Sequence, residues 1–231
     1  MSPSIAANSL GSLRWVTTWA RSSASMPAPK SIQQLPEYRY LRARLEEREQ
    51  SSCEAARALD IPWRFVPPMV RDDLRRRWAR ATARCGGCQD ALSVLMAEES
   101  RDGSLSPTDD ALVAECEVTL EAYDLAETRL RRLLKEKSSS LDVVALSMTL
   151  AEVLRKTNRS SEALALLRDV WIHHPEHPQS EQVVRMIVAV EGSASLSFDE
   201  SVAQIETLNK SRHYREAIAR VEAIEENANP V

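Results

Sequence analysis

Residues 159–171 read Arg-Ser-Ser-Glu-Ala-Leu-Ala-Leu-Leu-Arg-Asp-Val-Trp. A polar turn leads into an acidic residue, an alanine and an apolar run in which Ala163, Leu164, Leu167, Val170 and Trp171 share one helical face. The same arrangement recurs as Ser-Ser-Cys-Glu-Ala-Ala at 51–56, Gly-Gly-Cys-Gln-Asp-Ala-Leu at 86–92, Ala-Tyr-Asp-Leu-Ala-Glu at 122–127 and His-Tyr-Arg-Glu-Ala-Ile at 213–218. Its alanines, Ala55, Ala91, Ala126, Ala163 and Ala217, stand 36, 35, 37 and 54 residues apart. A repeat of this length is one helical hairpin, and the alanine is predicted to open its second helix, where a small side chain admits close packing.

The reading is therefore all-α: an α-solenoid of tetratricopeptide-like hairpins, expected to wind as a right-handed superhelix. The long last interval leaves room for an extra helix over 179–190, where Val183, Val184, Ile187 and Val188 have helical spacing after Pro175 and Pro178. Leu146, Leu150, Val153 and Leu154 give the first helix of the fourth hairpin a core stripe, and Tyr214, Ala217, Ile218, Val221 and Ile224 do so for the last helix. Hairpins are punctuated by Pro36, Pro62, Pro67 and Pro68, Asp102-Gly103 before Pro107, Ser138 to Ser140, and Gly192. Five glycines and 5% aromatics in 231 residues also favour helix over strand. Residues 35–231 read as one repeat domain, preceded by a leader over 1–34, without acidic residues, that is expected to be disordered.

A net charge of −4 offers no general attraction for phosphate backbones, so nucleic acid is not expected as a partner. No run of apolar residues is long enough to span a bilayer. No phosphate loop, nucleophile elbow or metalloprotease motif occurs, so no catalytic residue and no cofactor are expected. Cys85-Gly-Gly-Cys88 has the spacing of a redox pair or half a zinc site, but its glycines read as a hairpin turn. Its cysteines are taken as turn residues, with a small disulfide as the alternative if the protein is exported. Cys53 and Cys116 are read as small buried apolar residues. His173, His174 and His177 lie in a proline-broken connector, and no metal site is assigned to them.

The strongest candidate for ligand binding is basic. Arg76, Arg80 and Arg84, spaced four apart with Arg71 and Arg75 flanking, are expected to form a basic stripe, partly neutralised by Asp72 and Asp73, that reads either as a solvated face or as a surface able to receive an acidic tail or anionic polymer. A second basic group, Arg129, Arg131, Arg132 and Lys135, is explained by pairing with Glu127 and Glu136 within its own helix.

The run Glu-Ala-Leu-Ala-Leu-Leu-Arg-Asp-Val-Trp-Ile-His-His-Pro-Glu-His-Pro at 162–178, with Ser-Phe-Asp-Glu-Ser at 197–201 and Arg-His-Tyr-Arg-Glu-Ala-Ile at 212–218, resembles the superhelical region of bacterial soluble lytic transglycosylases. Tyr38 to Arg44 followed by Cys53 to Ala56 is similar to earlier hairpins of that region. The resemblance implies a non-catalytic helical scaffold, periplasmic or in the cell envelope, whose ligand is peptidoglycan or a protein. The family's catalytic acid lies in a Glu-Ser pair of a separate domain. Glu99-Ser100 and Glu200-Ser201 lack the supporting motifs and are not expected to be catalytic. The alternative is a free-standing, cytoplasmic tetratricopeptide adaptor that clamps a short peptide of a partner protein.

Overall fold

The computed structural model describes residues 35–48, 51–60, 66, 68–136 and 138–228; the expected leader over 1–34 lies outside them. All regular elements among these residues are helices. Two compact units, Met1–Gly103 and Ser104–Val231, divide the chain. In the first, α1 (Pro36–Arg48), α2 (Ser52–Leu59), α3 (Pro68–Arg84) and α4 (Cys88–Asp102) each pack on the next. In the second, α5 (Pro107–Thr119) with α6 (Tyr123–Glu136), α7 (Val143–Lys156) with α8 (Ser160–His173), and α10 (Phe198–Lys210) with α11 (Tyr214–Ala228) form hairpins. The additional helix α9 (Ser180–Glu191) packs on α8 and occupies the long interval, with Val183 and Ile187 fully buried.

The hairpins share one construction. Each repeat alanine is the fourth residue of its helix, in α2, α4, α6, α8 and α11. Each is buried, four of them at 0–1% exposure and Ala217 at 8%. Five residues before it, four turns place a left-handed residue: Gly86 at φ 93°, Glu121 at 60°, Asn158 at 61° and Arg212 at 65°. The next amide reaches back to the third-last residue of the helix just ended: Gly87 to Thr82 O at 2.9 Å, and Ala122 to Glu117 O, Arg159 to Leu154 O and His213 to Leu208 O at 2.8 Å. The left-handed residue's own N–H closes the inner bond, as from Glu121 to Val118 O at 3.0 Å. These paired bonds form the Schellman termination, which satisfies carbonyls that a helix end otherwise leaves without partners. The residue that ends one helix also starts the next, because its carbonyl accepts the alanine's amide, as Arg159 O does from Ala163 at 3.1 Å. In the first turn, Ser51 N–H to Glu46 O at 2.8 Å keeps the same bond.

Elsewhere local chemistry sets the ends. Pro36, Pro68 and Pro107 each occupy the first helical position, where a missing N–H costs nothing. Ser106 and Asp142 cap α5 and α7 through their side chains, and Ser197 with Glu200 forms a capping box at the start of α10. The core of the second unit runs through the predicted residues Leu146, Leu150, Val153, Leu154, Ala163, Leu167, Val170 and Trp171. Buried Gln204 of α10 donates from Nε2 to Trp171 O at 2.8 Å, supplying a partner to a carbonyl in the last turn of α8.

Three expectations are corrected. Cys53 is exposed rather than buried, and it forms a disulfide with Cys85 across a Cα–Cα distance of 4.9 Å. Cys85 therefore pairs with α2 and not with Cys88, and no cysteine of the chain is a free thiol. A pair separated by two turn glycines competes poorly with one placed by packed helices. Next, Tyr214, Ile218 and Val221 are not core: they are 55%, 58% and 40% exposed, because only the Ala217 edge of α11 is buried. Finally, Arg129 and Arg132 do not bond only within their own helix: both reach Asp110 of α5.

A larger side chain at a repeat alanine must push its two helices apart. Ala126→Leu is expected to cost about 2 kcal/mol by overpacking, whereas Glu121→Gly, which removes a left-handed β-carbon, should gain about 1 kcal/mol. Urea unfolding of both variants checks the opposite signs. The 32-residue separation between Cys53 and Cys85 gives roughly 3–4 kcal/mol of loop-closure stabilisation. Cys53→Ser with Cys85→Ser should therefore destabilise residues 35–103 by about that much, read as loss of amide-exchange protection there.

Candidate functional site

All five arginines lie on α3. At about 100° per residue Arg76, Arg80 and Arg84 share one row, whereas Arg71 and Arg75 lie on another side of the helix, roughly 100–180° away rather than beside it. Several are already engaged. Arg71 donates to Val66 O at 2.8 Å, and Arg76 lies 3.1 Å from buried Glu98 of α4. Arg75 and Arg80 have interactions too. Arg84 is exposed at the helix end. Much of the stripe thus ties α3 to its surroundings.

Charge in the second unit is used in the same way. Asp110 of α5, almost fully buried, receives Arg129 and Arg132 of α6, and Arg129 also reaches Glu117 at 3.3 Å. Burial opposes the charge on Arg129, but hydrogen bonds to Asp110 and Glu117 outweigh it and raise its pKa. Between the second helices, Arg159 in the turn before α8 bridges Glu127 at 2.7 Å and Glu162 at 2.6 Å, and Arg131 joins the same two carboxylates. Desolvation works to raise the Glu127 pKa, yet bonds from Arg159 and Arg131 hold it below the ordinary value.

The first helices present a different surface. Val118 of α5, Ala145, Met148, Thr149 and Glu152 of α7, and Gln182 and Met186 of α9, with Gln179 just before it, line a groove of about 490 Å³. On α7 eight of fourteen residues are buried. Ala145, Thr149 and Glu152, spaced i, i+4, i+7, are left on the groove side. The Thr149 hydroxyl donates to Ala145 O at 3.0 Å, leaving its lone pairs toward other donors. Glu152 accepts two bonds from Arg155, at 2.7 and 3.0 Å, which chiefly lower its pKa and keep it ionised. Methionine gives such a surface adaptable apolar contact, and the amides of Gln179 and Gln182 can both donate and accept. None of these positions stands out in the sequence, apart from the small and polar stripe of Ala145, Thr149 and Glu152 on a mostly apolar helix.

No family model matches the chain, and no curated protein matches it. Among solved structures it is similar to a crystal structure of nearly identical TPR-like repeats of a Podosopora anserina kinesin-light-chain candidate, at 18% identity and TM-score 0.44, over 88% of this chain and 100% of that one.

Glu200 and the serines of both Glu-Ser pairs make local structural bonds. Glu200 accepts the Ser197 backbone N–H at 2.7 Å and faces Arg168 at 3.4 Å; the Ser197 bond foremost lowers its pKa. A general acid needs the opposite shift. Ser201 and Ser100 donate to backbone carbonyls of the preceding turn. His173 pairs with Asp169 and His177 lies 3.4 Å from Asp142, and among the described residues no group of three or more ligands is placed to hold a metal.

Glu127, Glu152, Glu162 and Glu200 all lie below their ordinary value of 4.5. Their contribution to stability is whole above that value and is lost as the pH falls through the depressed ones. The unfolding midpoint should hold steady from neutral pH down to about 5 and drop below 4.5, with a shallower drop for Glu127→Gln. An unchanged slope in that variant contradicts the assignment.

Proposed function

We propose that the protein is a helical-repeat scaffold in which residues 35–231 act together as a binding domain, and that its ligand is a short peptide of a protein partner held in the groove of α5, α7 and α9. The reading rests on the groove itself, lined by apolar Val118, Ala145, Met148 and Met186 and by polar Thr149, Glu152, Gln179 and Gln182. An apolar side chain suits the apolar part of this lining, the glutamines suit peptide N–H and C=O groups, and the ionised Glu152 favours a donor or basic group nearby. Tetratricopeptide-like repeats generally act by binding proteins.

For its location we propose an oxidising compartment, in keeping with the cell envelope implied by the resemblance to transglycosylase superhelical regions. The disulfide Cys53–Cys85 and the lack of any free thiol support this, since such bonds persist outside reducing cytoplasm. Peptidoglycan as the ligand rests on that resemblance alone and forms the other arm of the test. Random peptides displayed on phage and purified peptidoglycan fragments are each offered to the full chain and to Thr149→Arg, which fills the groove from a half-exposed position. Selected peptides that bind the parent chain, and bind the variant at least tenfold more weakly at unchanged unfolding midpoint, support the reading. Peptidoglycan binding without any peptide selection, or peptide binding indifferent to Thr149→Arg, refutes it.

A further inference from the structure

The last helix, α11, leaves an apolar stripe uncovered. Tyr214, Ile218 and Val221 follow one another at i, i+4 and i+7 and are all exposed, while Ala217 faces inward. Single exposed apolar residues are ordinary on a soluble protein, but three at heptad spacing make a seam for a second helix.

The charges beside the seam specify that helix. With Tyr214 and Val221 at d and Ile218 and Glu225 at a, Arg215 and Glu222 both fall at e, directly flanking the stripe. Both are exposed, and neither has an ion-pair partner among the described residues. Nor does the helix offer them one. Three and four residues from Arg215 stand Ser211, Arg212, Ile218 and Ala219; from Glu222 stand Ile218, Ala219, Glu225 and Glu226. Seven other arginines of the second unit are ion-paired, whereas Arg212, Arg215 and Arg220, all on or just before α11, have no such pair among the described residues, and of these Arg215 flanks the apolar stripe.

We infer that the occupant is a second copy of this chain, docked by α11 in antiparallel fashion about a two-fold axis. That symmetry requires one patch to complement itself, and this one does. Ile218 meets Val221 of the second copy and the reverse, Tyr214 lies over Glu225 with its hydroxyl able to donate to the carboxylate, and Arg215 faces Glu222 twice. Parallel pairing would instead set Arg215 level with Arg215 and Glu222 level with Glu222. Three apolar residues per copy make a small interface, so the dimer is reversible. The groove of α5, α7 and α9 lies on other residues, and the dimer does not depend on how that groove is used.

Sedimentation equilibrium of the full chain over a range of concentrations provides the test, with far-UV circular dichroism to confirm unchanged helix content. The parent chain should show a monomer–dimer equilibrium, weakened about tenfold or more by Ile218→Glu, which replaces an apolar contact by a buried charge. Arg215→Glu and Glu222→Arg should each weaken it about tenfold by setting like charges face to face, and the two combined should restore it to within about threefold. A monomer at every concentration, a dimer indifferent to Ile218→Glu, or failure of the combined exchange to restore association overturns the inference. Association of the monomer only with a different protein does so equally.

Discussion

Among the described residues the hairpins hang on one backbone arrangement: an amide that reaches back five residues, in four of the five turns just after a left-handed residue, and, four positions beyond that amide, a buried alanine. The returning amide stops a helix and satisfies its terminal carbonyls. The alanine lets the next helix begin at once and pack against the one just ended. Since a single residue supplies both the closing amide and the carbonyl that accepts the alanine's N–H, the angle between the helices is built into a few residues. Three of these turns tolerate a non-glycine left-handed residue, at Glu121, Asn158 and Arg212. Such a residue persists only where the surrounding bonds and packing over-determine it.

From this follows a division of labour in the second unit. Second helices are anchored by their alanines, and two of them, α6 and α8, are linked by the Glu127, Arg131, Arg159 and Glu162 ion cluster. The first helix α7 retains an open stripe of Ala145, Thr149 and Glu152 on the groove side. Charge serves mainly as structure here: Asp110, Glu117 and Glu98 are buried and each faces arginine, so the abundant arginines are largely committed before any ligand arrives. Breaking one member of such a pair leaves an uncompensated buried charge, which is costly.

What the sequence made legible was what is local. The alanine period and the extra helix after Pro178 are properties of short segments, and each falls where the pattern puts it; of the prolines that punctuate the chain, Pro36, Pro68 and Pro107 open helices, and Pro62 and Pro67 lie outside the described residues. What it concealed was contact between segments. The Cys53–Cys85 bond could not be chosen over Cys85–Cys88 because pairing of four cysteines is undetermined by spacing. Arg129 gives no sign in the sequence that Asp110, on the helix before, will hold it. An amphipathic pattern such as Tyr214, Ile218 and Val221 identifies an apolar face but not whether the chain itself covers it. On α3 the four-residue spacing of Arg76, Arg80 and Arg84 is legible as one row, whereas the helical angle sets Arg71 and Arg75 on another side. The groove escaped notice because its residues are individually bland.

The most direct test of the hairpin construction is the backbone conformation at the turns, read by NMR from the amide–α-proton couplings and α- and β-carbon shifts of residues 119–123, 156–160 and 210–214. Positive φ at Glu121, Asn158 and Arg212, and at no neighbour, is the result predicted. Helical values running unbroken through any of the three would mean that the hairpin, and with it the placement of the groove-bearing helices, is wrong.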